Sequence, residues 1–248
     1  MLKVKKYYLL ILLLIPISFL LYKLYYELHL PIRYPNFGIR IPAGYEIHGI
    51  DVSKYQANID WNSVAEMRDR NAKVSFVFMK ATQGTYLVDK QYKRNWKSSK
   101  KAGVIRGVYH YFDMRNNATK QADFFVKNVQ LENGDLAPVL DIEETKGFST
   151  AQIQEKCKIW LNLIENHYKI KPIIYTNVAF YDDYLGDDFD EYPLWVAHYK
   201  QPLRPRINRK WHFWQHNDNG TVNGILHPTD FNIFYGNVDE LSEFRIKK

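Results

Sequence analysis

From residue 46 onward the chain alternates short apolar segments, rich in β-branched and aromatic residues, with amphipathic segments of helical period. Few architectures accept that order. Strands are expected at Glu46–Ser53, Val74–Ala81, Val104–Phe112, Ala137–Ile142 and Lys171–Thr176. Helices are expected between them: Asp60 caps one that runs to Arg70, Asp89–Ala102 forms a second that closes at Gly103, Thr119–Leu131 a third, and Ser149 caps a fourth that reaches Tyr168. After a shorter helix at Val178–Leu185, three strands follow with little helix between them, near Leu194–Tyr199, His212–Gln215 and Phe231–Tyr235. Strands that are apolar on both faces suit a sheet covered by helices. The pattern therefore predicts an α/β barrel whose last third is irregular, in one domain over residues 45–248.

In such barrels chemistry gathers at the carboxyl ends of the strands. Asp51 ends the first strand, Asp141 and Glu143 end the fourth, and Asp230 begins the last. Closing the sheet would bring all four to one mouth. The segment Leu140-Asp141-Ile142-Glu143-Glu144 is the most informative. Residues two apart on a strand share a face, about 6.6 Å from each other. Asp141 and Glu143 thus point the same way, with Glu144 turned aside. Two carboxylates that close resist joint ionisation, so one keeps its proton to higher pH, as a general acid must. Glu143 lies nearer the mouth and reaches further, and is expected to be the proton donor.

The formal charge of +7 is unevenly placed: residues 1–44 carry six cations and one anion, net +5, leaving +2 for the rest. A nearly balanced domain has no nucleic-acid footprint. Cys157 is the only cysteine, so an intrachain disulfide is impossible and a buried, inert thiol is expected. No CxxC or HExxH spacing signals a metal. The 19 Tyr and 6 Trp can supply carbohydrate-stacking rings as well as core.

Lys3, Lys5 and Lys6 precede the apolar run Tyr7–Tyr22, which is 16 residues long and reaches 20 if continued to Tyr26. Tyrosines flank it, and no small-residue cleavage site follows it. Residues 1–26 are expected to form an uncleaved hydrophobic helix that anchors the chain in a membrane. By the positive-inside rule the domain then lies on the extracytoplasmic side, periplasmic or at the cell surface. A cleaved signal and a secreted domain is the alternative. Segment 27–44, with Pro31, Pro35 and Pro42, reads as a stiff linker.

Several segments resemble the motifs of glycoside hydrolase family 25 lysozymes. They are Gly49-Ile50-Asp51-Val52-Ser53-Lys54-Tyr55-Gln56 with Ile59-Asp60-Trp61, Phe78-Met79-Lys80-Ala81-Thr82-Gln83-Gly84, Gly107-Val108-Tyr109-His110-Tyr111-Phe112, and Leu140-Asp141-Ile142-Glu143. Further on come Ile174-Tyr175-Thr176, Leu194-Trp195-Val196-Ala197 with Tyr199, Trp214-Gln215, and Asp230-Phe231-Asn232. Each is weak alone; their shared order over residues 46–240 is specific. The resemblance implies an irregular (β/α)5(β)3 TIM-like barrel and cleavage of the β-1,4 bond after N-acetylmuramic acid, with retention of configuration. Glu143 would be the acid/base, Asp141 would orient the substrate's acetamido group, and Asp51 and Asp230 would hold the polar geometry. It also places Tyr109, Tyr111, Tyr175, Trp195, Tyr199 and Gln215 along the substrate groove. Gln83 departs from the family, which often has Glu there. No metal or organic cofactor is implied, and the expected protein is a monomer acting on peptidoglycan glycan strands.

Two other readings make different demands. A peptidoglycan-binding protein on a degenerate hydrolase fold should have lost an acid of the cluster, and all four are present. A chitinase-like barrel needs D-x-x-D-x-D-x-E, whereas Ala137, Pro138 and Val139 precede Asp141.

Overall fold

The computed structural model describes residues 12, 14–25 and 30–247. Its centre is a closed sheet of eight strands: β3 (Ile47–Val52), β5 (Ala72–Gln83), β7 (Ile105–Tyr111), β8 (Val139–Asp141), β9 (Ile173–Asn177), β10 (Leu194–Ala197), β11 (Phe213–Gly220) and β12 (Thr229–Phe234). Parallel pairing of β3 with β5 completes the ring. All neighbours run parallel except β12, which is antiparallel to both β11 and β3. That reversal carries the start of β12 to the end of the barrel where the other strands finish. Two short strands, β4 (Arg68–Asp69) and β6 (Leu87–Val88), pair with β5.

Helices back the first part of the ring. They are α2 (Trp61–Glu66), α3 (Tyr92–Lys101), α4 (Ala118–Asn128) and α5 (Thr150–Tyr168). Asp60 and Ser149 do cap α2 and α5 through their side chains. Beyond β9 come α6 (Val178–Phe180), prolonged by a π-helical turn at Tyr181–Leu185, a 3-10 turn at Asp187–Phe189, and then, after β12, α7 (Val238–Ser242). Cys157, on α5, is fully buried, and burial pushes its thiol up to about 12, so it is inert.

Strand alternation sorts side chains into two cores. Ile50, Val77, Val108, Leu140 and Ile174 face outward, into the layer beneath the helices. Ile47, Phe76, Phe78, Val139, Trp195 and Phe213 face the lumen and fill it. Phe78 stacks on Trp195 at 4.5 Å between ring centroids and meets Phe213 edge-on at 5.2 Å. Two strand glycines make room for this plug. A Cβ on Gly49 would stand 2.5 Å from the Phe76 ring, and one on Gly107 2.6 Å from Phe78. Glycine inside a strand marks such close approaches.

Segment 27–44 is not a linker from residue 32 on. Ile32–Tyr34 (β1) and Ile39–Ile41 (β2) form an antiparallel hairpin. Its turn closes through Gly38 N–H to the Pro35 carbonyl at 3.1 Å. Phe37 at the tip is 1% exposed and meets Phe231 edge-on at 5.1 Å, while Asn36 N–H donates to Asp69 at 2.7 Å. The hairpin covers the outside of β11 and β12, where no helix lies. Pro31 and Pro42 bound the hairpin and Pro35 opens its turn, and Ile39-Arg40-Ile41 supplies its inward-outward alternation.

The expectation for residues 1–26 falls partly outside the described residues. Residues 14–25 are helical (α1), with Leu14, Ile15, Ile17, Phe19, Leu20 and Leu21 exposed. Among the described residues no helix is long and apolar enough to cross a membrane.

Candidate active site

The mouth holds two pairs of carboxyls, built differently. Asp141 ends β8 with its side chain in the lumen, 5% exposed; Ile142 turns outward into the helical layer; Glu143 returns to the mouth, at the rim and open to solvent. The carboxyls of Asp141 and Glu143 share a hydrogen bond. Burial lifts both above the ordinary carboxylate range, and Asp141 further, with the charge of Glu143 adding to it. Burial thus favours a pair that holds on to a proton above the usual carboxylate range, as a general acid requires, with Asp141 the deeper member and Glu143 the one at the rim. The cause is the aromatic plug below, which keeps water from Asp141.

The second pair spans two strands. Asp51 of β3 lies directly opposite Asp230 of β12 in the ladder. Burial lifts Asp51 to about 6, less than it would otherwise, because Asn232, Gln215 and Asp230 hydrogen-bond to it. Burial together with the Asp51 charge pushes Asp230 to about 9. At neutral pH Asp230 therefore holds a proton and donates it to an ionised Asp51.

Amides around Asp51 have fixed orientations. Gln215 Nε2 and Asn232 Nδ2 each donate to Asp51 Oδ2 at 2.8 Å. Tyr175 and Tyr199 hydroxyls both donate to Gln215 Oε1 at 2.7 Å. Trp195 Nε1 donates to Asn232 Oδ1 at 2.7 Å. With both carbonyls engaged by donors, neither amide can flip.

The aromatic residues placed along the groove by the sequence therefore divide. Tyr111 and Tyr199 reach the rim. Tyr109 lies among Asp51, Asp141 and Asp230, which together with burial raise its hydroxyl well above its usual value. Tyr175 and Gln215 are buried supports of Asp51, and Trp195, 1% exposed, belongs to the plug and reaches the site only through Asn232.

Two site residues escaped the sequence reading. Asn232 shares a strand face with Asp230, and Lys80 follows Phe76 and Phe78 on the lumen face, so period-two alternation would have found both. Lys80 Nζ donates to Gln83 Oε1 at 2.7 Å, lies 4.5 Å from the Tyr111 ring centre, and offsets the charges of Asp141 and Glu143. Glu144 turns aside as alternation requires: it pairs with Lys146 Nζ at 2.7 Å and lies below its usual pKa for that reason. Among the described residues no group of three or more His, Cys, Asp or Glu is placed to hold a metal ion.

The sequence matches the family model for glycosyl hydrolases family 25 over residues 50–225, more than half of the chain. The chain belongs to glycosyl hydrolase family 25. A family 25 glycosyl hydrolase from Bacillus anthracis superposes with a TM-score of 0.74 at 31% identity, over 81% of this chain and 94% of that one. Lysozyme M1 of Streptomyces globisporus is 34% identical over 79% of this chain and 70% of its own length. The uncharacterized protein YegX of Escherichia coli (strain K12) is 46% identical over 84% of this chain and 77% of its own. As a family 25 member the chain is a glycoside hydrolase on a closed eight-stranded barrel. The hairpin at residues 32–41 lies outside the matched segment, as do Asp230 and Asn232.

Proposed function

We propose that the chain is a muramidase. It would cut the β-1,4 bond between N-acetylmuramic acid and N-acetylglucosamine in peptidoglycan, with retention and with Glu143 as acid/base. The observation that carries this reading is the hydrogen-bonded Asp141–Glu143 pair at the barrel mouth. Similarity to lysozyme M1 supports the substrate.

The geometry of the pair bears on stereochemistry. Inverting enzymes separate their carboxyls by about 6.5–9.5 Å to seat a water, and two-carboxylate retaining enzymes place them across the bond, about 5–5.5 Å apart. Asp141 at the end of β8 and Glu143 two residues beyond it, in hydrogen-bond contact with each other, do neither. The nucleophile is then the substrate's own acetamido oxygen, which attacks C1 as the C1–O4 bond breaks and Glu143 gives its proton to O4. Asp141 accepts the acetamido N–H, a contact that requires its carboxylate form, while Glu143 carries the proton of the pair. Glu143 then deprotonates the water that opens the ring intermediate at C1, restoring both the acetamido group and the proton. Asp51, kept anionic by three donors, adds negative charge that stabilises the oxocarbenium-like state.

Borohydride reduction of digested peptidoglycan should yield muramitol; glucosaminitol alone would overturn the assignment, and no new reducing ends would make the chain a binding protein. The reading also includes a membrane tether at residues 1–26, supported by Lys3, Lys5 and Lys6 ahead of the apolar run and by the exposed apolar side chains of α1. The domain would then face the extracytoplasmic side. Fractionation should find the full chain with membranes; a soluble product trimmed near residues 22–30 would refute the tether.

A further inference from the structure

Among the described residues, Gln201 Oε1 and His216 Nε2 are buried polar atoms without a hydrogen-bond partner, and their two residues border one cavity. Its volume is about 420 Å³, and it lies between the β1–β2 hairpin and the outer face of β11. The side chain of Gln201 is oriented: its Nε2 donates to the Tyr199 carbonyl at 3.2 Å, which leaves Oε1 as the free acceptor. His216 is 4% exposed, and burial lowers it to about 3, so the ring is neutral. Arg40 and Lys200, both exposed, stand at the same cavity, with Pro31 and Pro202 as apolar wall. No acidic residue lines it. Asp218, one position from the wall, bears instead on Tyr199 and Asp230 at the mouth.

The cavity and the mouth share a wall. Gln215 points into the barrel toward Asp51, and the next residue on β11, His216, points out into the cavity. Tyr199 at the lip holds Gln215 through its hydroxyl and Gln201 through its carbonyl. A glycan lying across the mouth would hang its substituents over that lip.

We propose that this cavity binds the carboxylate-bearing peptide attached to muramic acid. The peptide supplies an N–H for Gln201 Oε1, a polar group for His216 Nε2, and a carboxylate for Arg40 and Lys200. The proposal rests on the muramidase reading and extends it: this site would prefer peptide-bearing glycan to bare glycan.

The test compares KM on peptide-bearing glycan strands with KM on the same strands stripped of peptide by an amidase, using the full chain. The intact protein should show about a tenfold lower KM on the peptide-bearing strands, the scale of one charge-assisted contact. Combining Arg40→Ala with Gln201→Ala should raise that KM to the value for stripped strands. Equal KM values in the intact protein, or an equal loss on both substrates in the variant, overturn the proposal. If neither strand is cut, the muramidase reading fails, and the cavity is decided separately by titrating muramyl dipeptide into the Glu143→Gln protein and following amide shifts by NMR. Saturable binding that Gln201→Ala abolishes supports the peptide site; no saturable binding overturns it. Loss of affinity for phosphatidylglycerol vesicles, with dipeptide binding unchanged, would reassign the basic rim to lipid and also overturn it.

Discussion

The barrel has two unlike sectors. From β5 to β9 each strand is backed by a helix, and this sector carries Lys80, Asp141 and Glu143. From β10 through β12 to β3 helices are scarce, a two-stranded hairpin does the covering, and this sector carries Asp51 and Asp230 with their oriented amides. In the first sector the carboxyls are paired by alternation at the end of one strand, Asp141 closing β8 and Glu143 two residues on. In the second they are paired by register between two antiparallel strands. The first arrangement places one carboxyl at the open rim, where a proton can reach a substrate. The second keeps both carboxyls enclosed and hydrogen-bonded, which fixes charge rather than moving protons.

Separate roles for the two pairs can be tested by breaking each. The largest loss is expected in the helix-backed sector: Glu143→Gln should lower turnover by about 10²–10⁴-fold, measured on purified peptidoglycan, with the melting temperature unchanged. A variant that keeps more than a tenth of the activity would remove Glu143 as proton donor. Asp141→Asn should also be severely impaired. Its residual activity should lose its alkaline limb at lower pH than the parent, because Glu143 no longer shares a proton with a partner; an unmoved limb would mean that the pair does not titrate together.

In the helix-poor sector the expected losses are of stability. Phe37→Ala removes the ring that seats the hairpin on Phe231 and should cost about 3–5 kcal/mol in denaturant unfolding. A cost under about 1 kcal/mol would make the hairpin an ornament. Asp230→Asn should act in the opposite direction. The folded carboxyl is pushed up to about 9 from the ordinary 3.8 of an aspartate. Between those values the unfolded chain gives up a proton that the folded chain keeps, so stability falls as pH rises through that window. The amide removes this slope. Its melting temperature should exceed the parent's by about 2–4 °C near pH 8, and the two should converge below about pH 4. A constant difference across pH would refute the buried, protonated Asp230. Smallest of all, Glu144→Gln should keep near-normal rates, and a dead variant would mean the strand register is wrong.

How legible each sector was in the sequence follows from the same difference. Asp141 and Glu143 are two apart where one strand ends, and period two is visible in any string of letters. Asp51 and Asp230 are joined by a strand reversal that leaves no local mark, so the sequence could put both acids at strand ends but not opposite one another. Trp195 is ambiguous for a similar reason: a lumen-facing ring in the plug and a lumen-facing ring in the groove alternate identically, and only height along the barrel separates them. How far burial lifts Asp141 depends on the depth of the plug beneath it, which no pair spacing encodes. In the hairpin the linker reading rested on three prolines alone and passed over Ile39-Arg40-Ile41, whereas the apolar residues Tyr34, Phe37, Ile39 and Ile41 all turn inward.

The hairpin also determines how a mechanical pull would travel. Its two ends, Ile32 and Ile41, are paired partners in the ladder. Tension on the chain ahead of Ile32, resisted by the barrel beyond Ile41, draws those neighbours apart and loads the ladder rungs one at a time, as in opening a zipper. Phe37 at the far end is the last to release. The hairpin would therefore yield before the eight-stranded ring, absorbing slack while the catalytic mouth keeps its shape.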